Sequence, residues 1–132
     1  MLAEARTRIA RYSPEEAAAA DAVVVDLRSS DERARDGIIP GSVHVPRSVL
    51  EWRCDPASSW ANPVVADRGL HLILVCAHGY SSSLAAESLV VLGFEHVGDL
   101  EGGFEAWRDA GLPVVPAPEP DDSVLPGMGG PQ

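Results

Sequence analysis

A run of four apolar residues at positions 72–75 ends at Cys76, and this junction strongly constrains the fold. The run is too short for a helix and partly β-branched, which is typical of a strand buried on both faces. The serines at 81–83, followed soon by a glutamate, predict the start of a helix. The sequence therefore predicts a buried strand, a short loop and a helix, with Cys76 at the carboxyl end of the strand.

The same alternation of strands and helices extends over most of the chain. A serine–proline–glutamate capping pattern predicts a helix over 13–21. Further strands are predicted at 23–28, 42–46 and 97–100, and further helical segments at 31–35, 47–53, 82–92 and 104–110. This order is typical of an α/β domain whose parallel sheet has helices on both faces. Functional sites in such sheets lie beyond the carboxyl ends of the strands, where Asp26, Arg28 and Cys76 are expected.

The composition excludes several classes of function. The chain has 132 residues and a formal net charge of −10, which argues against nucleic acid and anionic membranes as partners. All ten basic residues are arginines, so an anion site must use guanidinium, backbone N–H groups or histidine. Two cysteines and four scattered histidines predict no disulfide framework, no metal site and no other cofactor. The lack of a long apolar run or a signal-peptide pattern favours a cytoplasmic protein, with a monomer as the default state.

Three segments are expected along the chain. Residues 1–12 have a weak helical pattern around Ile9 and are interpreted as an N-terminal arm or docking helix. Residues 13–115 are expected to form one folded domain, which is long enough to bury a core. Residues 116–132 are predicted to be a disordered tail, because proline, glycine and acidic residues dominate there.

The predicted position of Cys76 suits sulfur chemistry. A thiol there faces the unpaired N–H groups and the positive end of the next helix, which favour the nucleophilic thiolate. The alternative is a small buried cysteine that only packs at the end of the strand. Gly79 and the serine run favour the functional interpretation, since the glycine allows a backbone conformation or a close approach that a side chain would block.

Four short motifs follow one another along the chain. They are Val25-Asp26-Leu27-Arg28, Gly37-Ile38-Ile39-Pro40-Gly41-Ser42 with Val45-Pro46 after it, the loop that starts at Cys76, and Asp99-Leu100-Glu101-Gly102-Gly103-Phe104-Glu105-Ala106-Trp107. In this order they resemble the rhodanese-like (thiosulfate sulfurtransferase) domain family over about residues 13–115. The resemblance implies a five-stranded parallel sheet flanked by helices on both faces.

The resemblance also implies a function for the loop. In this family the cysteine takes a sulfane sulfur from a donor, forms a persulfide and passes the sulfur to an acceptor thiol or cyanide. Carried over by position, Cys76 is the nucleophile, and inward-pointing backbone N–H groups stabilise the thiolate and an anionic donor. The residues expected to bind the substrate are Ala77, His78, Gly79, Tyr80, Ser81 and Ser82. The implied partners are a small sulfur donor, thiosulfate or a persulfide, and a thiol acceptor on a small molecule or a protein.

The loop departs from the family pattern in its charge. Ala77 and Ser81 occupy positions where many active relatives carry Arg or Lys, and Ile38 replaces the family's frequent histidine. Losing a guanidinium aimed at thiosulfate weakens binding by about 1.5–3 kcal/mol, so a persulfide is expected to be the better donor. Arg47 or Arg53 is hypothesised to replace the missing charge, and the alternative is that both are ordinary exposed arginines.

Several alternatives stay open. A Cys-based phosphatase or arsenate reductase needs an arginine six residues after its cysteine, where this chain has Ser82. A non-catalytic module that binds a partner or senses reactive sulfur is compatible with the uncharged loop. Asp26 and Arg28 are interpreted as a structural ion pair, with a direct effect on the substrate as the alternative. Cys54 is interpreted as a surface or half-buried thiol, with a resolving role towards Cys76 as the alternative.

Overall fold

Five parallel strands form the centre of the protein, for which a computed structural model describes residues 2–118. The strands are β1 (Ala10–Tyr12), β2 (Val23–Asp26), β3 (Val43–His44), β4 (His71–Val75) and β5 (His96–Leu100). Their order across the sheet is β1-β5-β4-β2-β3, and every neighbouring pair is parallel. The predicted five-stranded parallel sheet is therefore confirmed, and β4, which leads to Cys76, is its central strand.

Short helices connect the strands. They are α1 (Leu2–Arg6), α2 (Pro14–Ala19), α3 (Ser30–Asp36), α4 (Leu50–Cys54), α5 (Ser81–Val91) and α6 (Gly103–Asp109), with a 3-10 turn at Arg47–Val49 before α4. Ser13 and Ser29 begin α2 and α3 with capping boxes, in which serine and glutamate side chains satisfy each other's backbone N–H groups. Among residues 2–118, no helix has both the length and the apolar character needed to cross a lipid bilayer.

The side chains of β4 alternate between the two faces of the sheet. Leu72 and Leu74 are fully buried in a cluster that includes residues of α4 and α5. Ile73 and Val75 are buried in a second cluster with residues of α2 and α6. Since both faces of the central strand are covered by helices, the apolar run at 72–75 has the environment that its composition predicts.

The N-terminal end differs from the predicted arm, and most of the predicted C-terminal tail lies outside the described residues. Residues 2–12, here called the N-terminal segment, belong to the folded unit, because β1 pairs with β5 and α1 packs against α5. The sheet thus begins before the predicted boundary at Ser13, and a three-residue strand is too short to show a pattern in the sequence. At the other end, residues 119–132 of the predicted tail at 116–132 lie outside the described residues.

Candidate active site

Cys76 lies at the carboxyl end of β4, in the loop that leads to α5. Its Sγ accepts the backbone N–H of Gly79 at 3.0 Å and lies 3.3 Å from the hydroxyl oxygen of Ser82. The residue is only 7% exposed. The strand, loop and helix therefore hold the sulfur in a pocket of polar groups, close to the start of α5.

The surroundings of Cys76 lower the pKa of its thiol. Burial is the largest single influence and raises the pKa, because it disfavours the charged form. Hydrogen bonds from the side chains of Ser82 and Ser81, and from the backbone of Ser82 and Gly79, act in the opposite direction and together outweigh burial. The thiolate is therefore formed at a lower pH than in an ordinary cysteine, as a nucleophilic role requires.

Close backbone packing holds the loop against the connection between β5 and α6. The N–H of Phe104 donates to the carbonyl oxygen of Cys76 at 2.8 Å. Gly79 has a φ of +86°, and a Cβ at this position would lie 2.8 Å from the backbone nitrogen of Gly102. Both the conformation and the close approach require glycine, so Gly79 shapes the loop as its position in the sequence suggests.

Asp99, within β5, is connected to the sulfur through a serine. The residue is fully buried, and its Oδ2 accepts the hydroxyl protons of Ser82 at 2.8 Å and Ser83 at 2.7 Å. Arg11 donates Nε to Oδ1 at 2.9 Å and Nη2 to Oδ2 at 3.3 Å. Ser82 has one proton and two neighbours that can accept it, Asp99 and an ionised Cys76. While that proton is directed at Asp99, Ser82 can accept the S–H of the thiol; once the thiol ionises, the proton can turn to the sulfur.

Two arginines of the N-terminal segment also contact the loop. Arg6 donates Nη2 to the carbonyl oxygen of Gly79 at 3.0 Å and Nε to Ser83 Oγ at 3.1 Å. Arg11 donates Nη2 to the same carbonyl oxygen at 3.3 Å. Arg6, Arg11 and Asp99 are not among the site residues expected from the sequence, and the arginines lie 68 to 88 positions from their partners. A carboxylate inside a predicted buried strand is the signal that could have indicated Asp99.

The exposed side of the loop borders an open pocket of ≈ 380 Å³. The pocket is lined by His78 and Tyr80 from the loop and by Gly102, Glu105, Ala106 and Asp109 from the β5–α6 region. His78 Nδ1 lies 3.1 Å from Glu105 Oε2. The loop and the first turn of α5 bring together the residues predicted to bind the substrate, which are Ala77, His78, Gly79, Tyr80, Ser81 and Ser82.

Asp26 and Arg28 form a buried ion pair at the end of β2. Arg28 donates Nε and Nη2 to the carboxylate at 3.1 and 2.9 Å, and Arg33 donates Nε to it at 3.1 Å. The guanidinium carbon of Arg28 also lies 3.8 Å from the ring centre of Phe104. Because these contacts join β2, α3 and α6, they favour the structural interpretation of the pair.

The arginines hypothesised to replace the loop charge have contacts elsewhere. Arg47 Nη1 donates to both carboxylate oxygens of Glu51, at 2.9 and 3.0 Å. Arg53 is buried, and its Nη1 donates to the carbonyl oxygen of Trp60 at 2.9 Å. The guanidinium groups that contact the loop come instead from the N-terminal segment, which neighbours the loop because β1 pairs with β5 and α1 packs on α5.

Cys54 is a thiol of the apolar core, so the expectation of a surface or half-buried thiol is wrong. It is fully buried in the cluster that contains Leu72 and Leu74, and burial raises the pKa of its thiol to about 12. A protonated, buried thiol is inert at neutral pH, which favours a packing role for Cys54 over a resolving role. In the described part of the chain, no group of three or more His, Cys, Asp or Glu side chains is arranged to hold a metal ion.

The result of a comparison with protein families agrees with the order of motifs around Cys76. The profile of the Rhodanese-like domain family matches residues 12–110, which cover the strand, the cysteine loop and α6. The chain belongs to the rhodanese-like family. The family and the fold predicted from the sequence are thereby confirmed.

Several rhodanese-like relatives resemble the chain over most of its length. The thiosulfate sulfurtransferase GlpE of Stutzerimonas stutzeri is 42% identical over 105 residues, which cover 77% of this chain and 87% of the relative. GlpE of Pseudomonas savastanoi pv. phaseolicola is 35% identical over 122 residues, covering 89% and 97%.

Solved structures show the same fold. A Rhodopseudomonas palustris protein of unknown function, described as a possible tyrosine phosphatase, has a TM-score of 0.81 and 39% identity, covering 86% of this chain and 90% of that one. A thiosulfate sulfurtransferase from Pseudomonas aeruginosa has a TM-score of 0.70 and 28% identity, covering 87% of this chain and 22% of that longer chain.

Proposed function

We propose that this rhodanese-like protein is a sulfurtransferase in which Cys76 carries the transferred sulfur as a persulfide. The observation that carries the proposal is the environment of the Cys76 sulfur, which accepts the Gly79 N–H at 3.0 Å and lies beside Ser82 at the start of α5. The thiosulfate sulfurtransferases among its relatives, which match this chain over most of their own length, support the same reaction class.

The transfer proceeds in two steps, each at one S–S bond. First, the Cys76 thiolate attacks the sulfane sulfur of the donor, and the donor's S–S bond breaks so that sulfite or a thiolate leaves with the bonding electrons. Second, an acceptor thiolate attacks the terminal sulfur of the Cys76 persulfide, and Cys76 leaves as a thiolate. The Gly79 N–H and the Ser82 hydroxyl stabilise negative charge on the sulfur, so they assist Cys76 as nucleophile in the first step and as leaving group in the second.

The donor is a persulfide in preference to thiosulfate. Glu105 and Asp109 line the pocket beside the loop, and positions 77 and 81 carry alanine and serine instead of a basic residue. The persulfide group of an organic donor carries at most one negative charge, so it is repelled less by these carboxylates than the thiosulfate dianion is. The acceptor is a thiol, on a small molecule or on a protein.

Intact-mass measurement after incubation with a donor tests the proposed function. We expect a mass gain of one sulfur atom with glutathione persulfide, a slower gain with thiosulfate, and loss of the added mass on treatment with cyanide or a thiol. Cys76→Ser should show no gain, whereas Cys54→Ala, the matched change at the other cysteine, should still be loaded.

Two other results would point to the alternatives. A persulfide on Cys76 that no thiol or cyanide removes would favour a sulfur-sensing module without transfer activity. A folded protein that gains no sulfur from either donor would contradict the proposed function.

Phosphatase activity is the competing enzymatic function, since one structural relative is described as a possible tyrosine phosphatase. Ser82 occupies the position where a Cys-x5-Arg loop has its guanidinium, and its hydroxyl donates to Asp99. The loop therefore lacks the side chain that such enzymes aim at the phosphoryl oxygens. An aryl phosphate should not be hydrolysed, and hydrolysis that is lost in Cys76→Ser would favour the phosphatase instead.

We further propose that the protein acts as a monomer in the cytoplasm. Transfer through Cys76 needs a reduced thiol, and cytosolic redox systems keep thiols reduced. The formal net charge of −10 supports partners other than nucleic acids and anionic membranes.

A further inference from the structure

The N-terminal segment reaches the loop that holds the reactive sulfur. Arg6 and Arg11 both donate to the carbonyl oxygen of Gly79, at 3.0 and 3.3 Å. The N–H of the same glycine donates to the Cys76 sulfur at 3.0 Å. The Gly79 backbone is therefore held at both of its polar groups, the carbonyl oxygen by the two arginines and the N–H by the sulfur.

The charges of this cluster suit a thiolate. Arg11 pairs with the buried carboxylate of Asp99, whereas Arg6 contacts the neutral groups Gly79 O and Ser83 Oγ at the loop. The guanidinium of Arg6 therefore brings a positive charge to the loop that an ionised Cys76 would offset. The pKa of Arg11 is raised, first by its hydrogen bond to Asp99 and against the effect of burial, and an ionised Cys76 adds to that rise.

Several other charged groups around the loop are paired. His78 lies beside Glu105 on the exposed rim, with side chains that are 63% and 52% exposed. On the β2 side, Asp26 is held by Arg28 and Arg33. Glu101, which follows β5, adds negative charge near Arg11. Arg28 and Arg33 are neutralised in part by Asp26, whereas Arg6 and Arg11 donate directly to the loop carbonyl of Gly79.

We propose that Arg6 and Arg11 are positioning residues for Cys76: they hold the Gly79 backbone and supply the positive charge that the loop itself lacks. This inference rests on the proposed sulfur transfer for its biological meaning, but it concerns the ionisation of Cys76 and can be tested without a sulfur donor. It also makes the N-terminal segment a part of the active site instead of an appendage.

The test is the rate of Cys76 alkylation by iodoacetamide as a function of pH, since only the thiolate reacts. The variants are Arg6→Gln and Arg11→Gln in the full chain with Cys54→Ala, so that one thiol is monitored. Arg8→Gln is the matched control, because Arg8 lies in the same segment but pairs with Glu87 at 3.2 Å and is 59% exposed.

Both variants should raise the pH at which alkylation reaches half its maximal rate. A neighbouring opposite charge shifts a pKa by about 1–3 units, so we expect a rise of about 1 unit for Arg11→Gln. A smaller rise is expected for Arg6→Gln, because the Arg11 change also leaves Asp99 without its partner. Arg8→Gln should match the unchanged protein, and Arg11→Lys should recover most of the shift because it keeps the charge.

A second variant guards against loss of folding in Arg11→Gln. Arg11→Gln combined with Asp99→Asn removes both charges of the buried pair, so the midpoint should return towards that of the unchanged protein. Circular dichroism establishes that each variant is folded before its profile is compared. If Arg6→Gln and a folded Arg11→Gln keep the original midpoint, or if Arg8→Gln shifts it equally, the proposal is overturned.

The outcome is separate from that of the proposed function. Raised midpoints in a protein that never gains sulfur would support the role of the arginines and contradict sulfur transfer. Unchanged midpoints in a protein that is loaded and discharged would overturn the role of the arginines alone.

Discussion

Two buried aspartates flank the central strand β4, and their partners differ. Asp26, at the end of β2, accepts N–H groups from the side chains of Arg28 and Arg33 and from the backbone of Arg28. Asp99, in β5, accepts two serine hydroxyls in addition to the guanidinium of Arg11. On the β2 side of β4, the side chains that donate to Asp26 are those of two arginines. On the β5 side, Asp99 is connected through Ser82 to the sulfur of Cys76.

The difference follows from whether the donor to each aspartate can also accept a hydrogen bond. A guanidinium has donors but no acceptor, so a chain of hydrogen bonds that reaches it stops there. A hydroxyl both donates and accepts, so Ser82 links Asp99 to Cys76. The hydroxyl partners of Asp99, more than its burial or its ion pair, therefore distinguish it from Asp26.

The largest expected effect of a change in either pair is the loss of stability in Asp26→Asn. The substitution leaves the guanidiniums of Arg28 and Arg33 in a buried environment without their counter-charge. Breaking a buried pair by removing one partner costs about 3–5 kcal/mol, so the midpoint of urea unfolding should fall strongly. Equilibrium unfolding followed by tryptophan fluorescence or circular dichroism measures this loss.

The pH profile of Cys76 alkylation is expected to change little in Asp26→Asn, in contrast to its stability. Under native conditions its midpoint should stay close to that of the unchanged protein, because the side-chain partners of Asp26 are Arg28 and Arg33, on the side of the sheet edge that leads into α3. Arg33→Gln, which removes one of the two guanidiniums, serves for this measurement where Asp26→Asn is too unstable. A midpoint shift as large as that of an Asp99 variant would show that Asp26 and Asp99 affect the ionisation of Cys76 equally.

The second-largest effect is expected in Asp99→Asn and concerns the reactivity of Cys76. The change removes a negative charge near Cys76 and leaves Ser82 freer to donate its hydroxyl proton to the thiolate. Both consequences favour the charged sulfur, so the pKa of Cys76, already lowered in the folded protein, should fall further. Removal of a neighbouring like charge corresponds to a shift of about 1 unit, and the pH profile of alkylation should move to lower pH by that amount.

Ser82→Ala separates the hydroxyl from the charge. Alone, it removes a donor to the sulfur, so the pKa of Cys76 should rise. Combined with Asp99→Asn, it should reduce the shift caused by the asparagine, because the route through the hydroxyl is gone. A rise of the midpoint in Asp99→Asn alone would contradict the competition between Asp99 and the sulfur for the Ser82 proton.

The two pairs also show how much of the site can be predicted from the sequence. Asp26 and Arg28 are two positions apart at the end of a strong strand pattern, so a local motif identifies them. Arg11 and Asp99 are 88 positions apart and meet because β1 lies beside β5. That pairing depends on a three-residue edge strand whose sequence carries no periodic pattern, so its side chains could not be placed near the loop.

The same limit applies to the fold as a whole. The apolar run at 72–75, the capping serine of α2 and the serines at the start of α5 are local features, and they predict the central strand, these two helices and the place of Cys76. The charge around the sulfur is a tertiary property, because it comes from α1, β1 and β5, which the loop's own sequence does not specify. The hypothesis that Arg47 or Arg53 replaces the missing charge depends on the helix that they flank, whereas the guanidiniums that contact Gly79 belong to Arg6 and Arg11.

The smallest expected effect belongs to Arg47→Gln, which sharpens the contrast between nearby and distant positive charge. Arg47 and Glu51 form an i,i+4 ion pair with side chains that are 39% and 42% exposed. Such surface pairs contribute about 0.3–0.5 kcal/mol, so urea unfolding should change little and the alkylation profile of Cys76 should not move. The substitution removes the same charge as Arg6→Gln but at a position without a contact to Gly79. An equal rise of the Cys76 midpoint in both variants would attribute the effect to the net charge of the protein, whereas a rise in Arg6→Gln alone would attribute it to the guanidinium that holds the loop.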